Sequence, residues 1–364
     1  MTFNKTIFTA LFATFLSFGQ AQFVAPFSDL YGRQYVFDGT DMQFIESLPL
    51  DTFLVGKNAM LYTTSVGRFK AFYKGKLYPV LDNKPNFFVT DNWVGYYNMG
   101  TLAVLQNDKF EKLDGLAQDT SYWYGDSLIV WTSGIGDTKV FYNGQTTLIE
   151  QWAINGNEGK IGDNIFAYTD RSGNFKVFYQ GESKIIDWYT PTTFYANRDL
   201  VVYNDYINNF KIYYAGQTYE TTIPFRKNCI LGEGFFVYYD QQNRLNVWYN
   251  GETTELSQSR PKQLLVKENM IAFTDQGNNF YVWYQGKLQM LERIAPLSID
   301  AYRHILVYQD QYGRLRGLYY GKEMQFSQNI VSGTWNLYNE VITYSLLRGQ
   351  TSIWCNDKTY TYQP

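Results

Sequence analysis

One hairpin signal recurs ten times along this chain. "FYNG", "FYQG", "YYAG", "WYNG", "WYQG" and their variants place an anchor residue at Gly39, Gly75, Asp108, Gly144, Gly181, Gly216, Gly251, Gly286, Gly321 and Asp357. Successive anchors lie 33 to 37 residues apart, and 35 apart throughout the stretch from Gly181 to Gly321. So short and steady a period allows one supersecondary unit per repeat. The chain must therefore fold as an array of units packed on their neighbours, not as two or three unrelated domains.

The residues around the anchor say what the unit is. Two residues before it stand Phe37, Tyr73, Gln106, Tyr142, Tyr179, Tyr214, Tyr249, Tyr284, Tyr319 and Cys355, and one residue earlier Val36, Phe72, Leu105, Phe141, Phe178, Tyr213, Trp248, Trp283, Leu318 and Trp354. Neighbouring residues of a strand face opposite sides, so a strand apolar in both columns is covered on both faces. The anchor itself follows from turn geometry: a two-residue hairpin needs positive φ, which Gly, Asn and Asp reach most cheaply.

Upstream of this strand lies another, as in "NIFAYTD", "DLVVYND" and "NMIAFTD", and before that a short run such as "LLVK" at 264–267, joined through the tight turn "EN" at 268 and 269. Each unit thus reads as four short antiparallel strands. The longest connection, such as "ERIAPLS" at 292–298, carries the chain to the next sheet. Aromatic residues make up 19% of the chain, which suits strands better than helices. We expect an all-β fold, a β-propeller of about ten units of roughly 35 residues; a β-solenoid is the alternative. The first unit has room for only two strands before Gly39, in "FVAPFSDLYGRQYVF", and so lacks its leading run.

With "VFYNG", "VFYQG", "VWYNG" and "VWYQG" at the hairpin, residues 24–362 resemble the short-bladed repeats of tectonin-type and similar exported β-propellers. That resemblance implies a rigid ring, in a group that includes both lectins and protein-binding platforms.

The N-terminus, "MTFNKTIFTALFATFLSFGQAQ", has Lys5 ahead of an apolar run and small residues at Gly19 and Ala21. This pattern predicts a signal peptide over 1–21 and one repeat domain over 22–364, exported to a periplasm or otherwise secreted. The apolar run is too short to span a bilayer, and no later stretch is long enough. A net charge of −3 without any basic run argues against a nucleic-acid partner. Cys229 and Cys355 occupy non-equivalent positions of the repeat and are expected to stay unbridged.

Candidate binding residues form a second column, Asp170, Asp205, Asp240, Asp275 and Asp310, at 35-residue spacing. Each can cap its own loop by accepting backbone N–H bonds, or the set can line one end of the ring as repeated ligand or partner sites. The other units place Ser28, Thr64, Tyr97, Ser133 and Leu346 there. Off-column tryptophans, Trp93 and Trp123 first, then Trp152, Trp188 and Trp335, are further partner-binding candidates. One carboxylate per loop is too few for calcium, so no metal is expected. A single histidine, His304, and the absence of nucleophile or phosphate-loop motifs lead us to expect no catalytic residue and no cofactor. The resulting reading is a non-catalytic exported platform with a protein partner in an outer-membrane complex, specifically an accessory or plug-like subunit of a secretion channel of the type IX kind. A multivalent lectin with a glycan partner is the alternative, and a polysaccharide-active enzyme comes third.

Overall fold

The computed structural model describes residues 23–364 except 107, 120, 155, 157, 332, 347 and 348. The expected signal peptide therefore lies outside the described residues. The fold is all-β: ten antiparallel sheets follow one another along the chain, nine of four strands and the first of three. Blade 5 shows the plan, with strands Gly159–Ile161, Ile165–Thr169, Phe175–Tyr179 and Glu182–Asp187 paired in sequence order. Among the described residues blade 1 has three strands, Ala25–Ser28, Gln34–Phe37 and Met42–Glu46, and no leading strand. No helix among the described residues is long and apolar enough to cross a membrane.

The core is divided into ten clusters, one for each contact between successive blades. Phe178 of blade 5 packs with Leu128 and Val130 of blade 4, while Tyr179, the next residue, packs with Tyr203 and Tyr213 of blade 6. The two apolar columns thus serve two different interfaces. The cluster that decides the topology joins Phe23, Ala25, Phe27 and Phe37 of blade 1 to Val341, Ile353 and Cys355 of blade 10. A solenoid of ten units would have nine interfaces; the tenth makes this a closed propeller. Cys229 and Cys355 are free thiols buried in different clusters.

The missing strand of blade 1 sets the geometry near the axis. First strands of successive blades touch one another around the centre. Where blade 1 has none, blades 10 and 2 meet directly: Tyr338 lies 6.3 Å from Phe53, and Asn339 Nδ2 donates to Gly56 O at 2.8 Å. Nine inner strands therefore close inside ten blades. The free inner edge of blade 1 carries Pro26, which has no N–H to offer a further strand.

The anchor glycine also lies against a ring of the preceding blade. Gly181, Gly216, Gly286 and Gly321 have φ between +75° and +89°, and the residue before each, Gln180, Ala215, Gln285 and Tyr320, is also at positive φ. Against each of these glycines lies the tyrosine of the preceding blade. A Cβ on Gly321 would stand 3.2 Å from the Tyr284 ring, and one on Gly286 3.6 Å from Tyr249. Three of these tyrosines pack edge-on to the next blade's aromatic: Tyr142 on Phe178 at 5.8 Å, Tyr179 on Tyr213 at 6.0 Å, and Tyr249 on Trp283 at 5.3 Å.

Tryptophans at the two kinds of site should behave oppositely. Trp248 is 2% exposed, and Trp248→Ala is expected to cost about 3–5 kcal/mol in denaturant unfolding. Trp188 is 78% exposed, and Trp188→Ala should stay within about 0.5 kcal/mol of the parent. Equal losses would contradict the assignment of the hairpin column to the blade interfaces.

Candidate functional site

Antiparallel order within each blade gives the ring two unlike ends. The tight turns between first and second strands and between third and fourth strands lie at one, here the turn end. The loops between second and third strands lie with the inter-blade crossovers at the other, the loop end.

Around the axis at the turn end, the first-to-second turns present a charged column: Lys57, Asp91, Asp126, Asp163, Arg198, Glu233, Glu268 and Arg303 in blades 2 to 9. Adjacent turns are laced together. Asp91 N donates to Asp126 Oδ1 at 2.8 Å, Ser127 N to Asp163 O at 2.8 Å, Asn164 N to Arg198 O at 3.0 Å, and Glu233 N to Glu268 O at 2.7 Å. Arg198 pairs with Glu233 of the next blade. Arg303 reaches from blade 9 to Asp91 and Asp126 of blades 3 and 4, and Tyr302 donates to Asp91 at 2.6 Å. These contacts bridge the axis at this end. The small residues beside the turns permit the approach: a Cβ on Gly125 would lie 2.2 Å from Gly162 O, and one on Gly232 2.7 Å from Glu268 O.

Crowding acids in a half-buried belt keeps protons on some of them. Burial, then the charges of Asp126 and Glu233, pushes Asp163 up to about 7. Burial together with the hydrogen bond and charge of Glu233 pushes Glu268 up to about 8. Glu233 Oε1 is buried without a hydrogen-bond partner. Among the described residues no group of three or more His, Cys, Asp or Glu side chains is placed to hold a metal ion. His304 is wedged beside this belt, with Nδ1 2.9 Å from Tyr284 Oη and its ring stacked 4.6 Å from Tyr320. Burial lowers its pKa.

At the loop end the Asp column is engaged by its own loops. Asp170 Oδ1 accepts from Ser172 N and Asn174 N at 2.8 and 2.9 Å, and Oδ2 from Asn174 Nδ2 at 2.9 Å. Although burial opposes it, hydrogen bonds from Asn174 and Lys176 hold this carboxyl at about 2. Asp205, Asp240 and Asp310 likewise accept from the residues two and four positions on. Asp275 accepts from Asn279 N at 2.8 Å and Asn279 Nδ2 at 2.9 Å. In blade 1 the capping residue is Asp29, bonded to Tyr31 N, Arg33 N and Arg33 Nε, and not the adjacent Ser28. Thr64 caps its loop through Arg68 N, whereas Ser133 Oγ has no partner.

Trp93 and Trp123 lie in blade interfaces: Trp93 meets Phe141 edge-on at 5.3 Å, and Trp123 meets Phe166 of the next blade at 5.0 Å. Trp335 Nε1 donates to Ser298 Oγ. Trp188, in the crossover from blade 5 to blade 6, is the off-column tryptophan that faces outward. It has company there. Tyr31, Val66, Ile135, Tyr206 and Tyr312 stand at loop apices, each between 72% and 81% exposed. The turn-end connections expose one large apolar side chain among the described residues, Tyr320. Sequence reading missed the charged turn belt, although its 34- to 37-residue spacing from Lys57 to Arg303 repeats as regularly as the hairpin anchor.

The belt has a measurable signature. Asp163 and Glu268 titrate higher in the folded chain than in the unfolded one, so between about pH 4 and pH 8 the folded state binds extra protons and loses stability as pH rises. Asp163→Asn with Glu268→Gln should leave the melting temperature unchanged near pH 4 and raise it by about 2 °C or more at pH 8.5. Identical melting curves at pH 8.5 would contradict the protonated belt.

Comparison with known proteins agrees with this architecture. No match is found among curated protein sequences. Solved structures with a similar chain path include the computationally designed Ika8 protein, at 18% identity and a TM-score of 0.35, over 74% of this chain and 95% of that one. Apo AztD from Citrobacter koseri matches at 11% identity and a TM-score of 0.40, over 84% and 93% of the two chains. BamB from Moraxella catarrhalis matches at 8% identity and 0.35, over 71% and 93%. The sequence model of the 10-bladed beta propeller domain covers residues 18–360. With ten blades and ten interfaces closing the ring, the chain belongs to the 10-bladed beta propeller domain family.

Proposed function

We propose that this propeller is an exported, non-catalytic platform that binds a protein partner through its loop end. One observation carries this reading: large apolar side chains are exposed at the loop apices and crossovers, and almost none at the turn-end connections. Exposed apolar residues also lie on strands, such as Phe44, Leu148 and Ile185, but among the connections their concentration at one end of a rigid disc is the pattern of an interaction surface. Tyr31, Trp188, Tyr189, Tyr206 and Tyr312 stand among them, and tyrosine and tryptophan are residue types that anchor protein interfaces.

Within that class the reading extends to an accessory or plug-like subunit of an outer-membrane secretion channel of the type IX kind, in a periplasm. Two features support it. The leader "MTFNKTIFTALFATFLSFGQAQ" fits export with cleavage after Ala21. At the turn end, Arg303 and Tyr302 bridge the axis, which suits a disc that obstructs better than a tube that conducts.

Photo-crosslinking in the native cell tests both parts. A crosslinker replacing Trp188, Tyr206 or Tyr312 should trap one reproducible protein, and replacing Lys287 or Lys322 at the turn end should not. The trapped chain should begin at Gln22 by mass spectrometry. Crosslinks only from the turn end would remove the loop-end assignment, and an uncleaved N-terminus would remove export.

A further inference from the structure

The arginines of this chain are distributed unevenly. Away from the loop end, Arg198, Arg303 and Arg316 are each paired with carboxylates. At the loop end, Arg33, Arg244 and Arg314 are bonded to the aspartates that cap their own loops. Arg68, Arg171, Arg226, Arg260 and Arg293 also lie in loop-end connections. None of these five has an ion-pair partner among the described residues, so the unpaired arginines collect on the face that also exposes the apolar side chains.

They are ordered along the rim. Tyr206 and Ile207 come first, then a hollow of about 450 Å³ at the blade 7 loop and its two flanking crossovers, lined by Arg226, Lys227, Tyr239, Asn243 and Arg260, then Ile294 and Leu297. Arg260 lies over the Tyr239 ring at 5.2 Å, a stacking that orients its donors without using them. The one carboxylate in the hollow, Asp240, is engaged by Gln242 N, Arg244 N and Arg244 Nε at 2.7 to 2.9 Å. Three cations thus face a cavity in which the only acid is already neutralised by its own loop.

We infer that the loop end recognises an acidic polypeptide segment flanked by apolar residues, one of whose carboxylates enters the hollow formed by Arg226, Lys227 and Arg260. The inference rests on the loop end being the partner-binding face. The rim reads apolar, basic, apolar, and its complement is apolar, acidic, apolar. Guanidinium pairs a carboxylate through two parallel hydrogen bonds, which gives register as well as attraction. A polysaccharide or nucleic-acid polyanion fits less well, because Ile207, Ile294 and Leu297 offer nothing to sulfate or phosphate.

The test is a random 12-residue peptide display library selected on the full mature chain, with retained sequences remade as fluorescent peptides for anisotropy titration. Retained peptides should be enriched in Asp or Glu beside Leu, Ile or Phe, and should weaken as salt rises. Arg226→Glu with Arg260→Glu should lower their affinity at least about tenfold. Lys287→Glu with Lys322→Glu, the same charge change at the turn end, should leave it within about twofold. If charge reversal disturbs the fold, Arg226→Gln with Arg260→Gln at an unchanged melting temperature replaces it. A library that retains nothing, peptides without acids, or tighter competition by a sulfated polysaccharide would each overturn the inference. Peptides that respond to Trp188→Ala or Tyr312→Ala but not to the arginine variants would keep the loop end as a docking face and remove its acidic partner. Peptides that respond only to the turn-end variants would remove both.

Discussion

Everything in this ring depends on how one blade registers against the next, and that register is set by a tyrosine. The residue two before the anchor, such as Tyr249, leaves its own blade, lies edge-on against Trp283 of the next, and covers the turn glycine Gly286. Aromatic edges favour such contacts over flat stacking, so the interaction fixes an angle as well as a distance. The glycine is favoured by its φ of +86°, which builds the hairpin, and the ring rests against it. Where the partner column is not aromatic, the contact changes. Tyr284 faces Leu318, and it turns its hydroxyl to His304 instead.

A ten-bladed ring of short sheets faces a problem at its axis. Ten inner strands would surround a wide bore with unpaired turns. Among the described residues blade 1 has no leading strand, blades 10 and 2 meet through Phe53, Tyr338 and Asn339, and hydrogen bonds lace the turns of blades 3 to 6 and of blades 7 and 8. Blade 10 is made of four strands consecutive in sequence, and closure among the described residues rests on its face packing against blade 1. The charged belt follows from that crowding. Acids forced together in a half-buried ring are tolerable when arginines from other blades and retained protons offset them, as Arg198, Arg303 and Glu268 do.

The blade was legible in the sequence because its demands are local. Positive φ at Gly181, the alternation of Phe178 and Tyr179, and the Asp170 cap each involve residues within one hairpin, and they recur at a fixed spacing. Closure was not legible, since it rests on Phe23 and Phe27 meeting Val341 and Ile353 more than 300 residues away. Nor was the fate of Trp93 and Trp123, whose exposure depends on the neighbouring blade and not on their own strand. In blade 1 the column slipped by one residue, from Ser28 to Asp29, because the first loop begins one position later than the anchor count implies.

The loop architecture explains why exposed apolar side chains are found at the loop apices. In the capped loops the Asp fixes the N–H groups of residues two and four positions on, and the third position is Gly or Asn at positive φ, as in Gly173, Asn208, Asn243 and Gly313. Backbone and cap are thereby determined, while the side chains one and two positions after the Asp do none of this work. Those positions hold Tyr206 and Ile207 in one blade, Gln241 and Gln242 in the next, and Leu30 and Tyr31 in blade 1. A scaffold that settles its own folding in the hairpins and caps leaves these apices, with the crossovers beside them, free to be chosen for what they touch. Arg33, Arg244 and Arg314 reinforce the caps, whereas Tyr206 and Ile207 are exposed at an apex whose turn is already fixed without them.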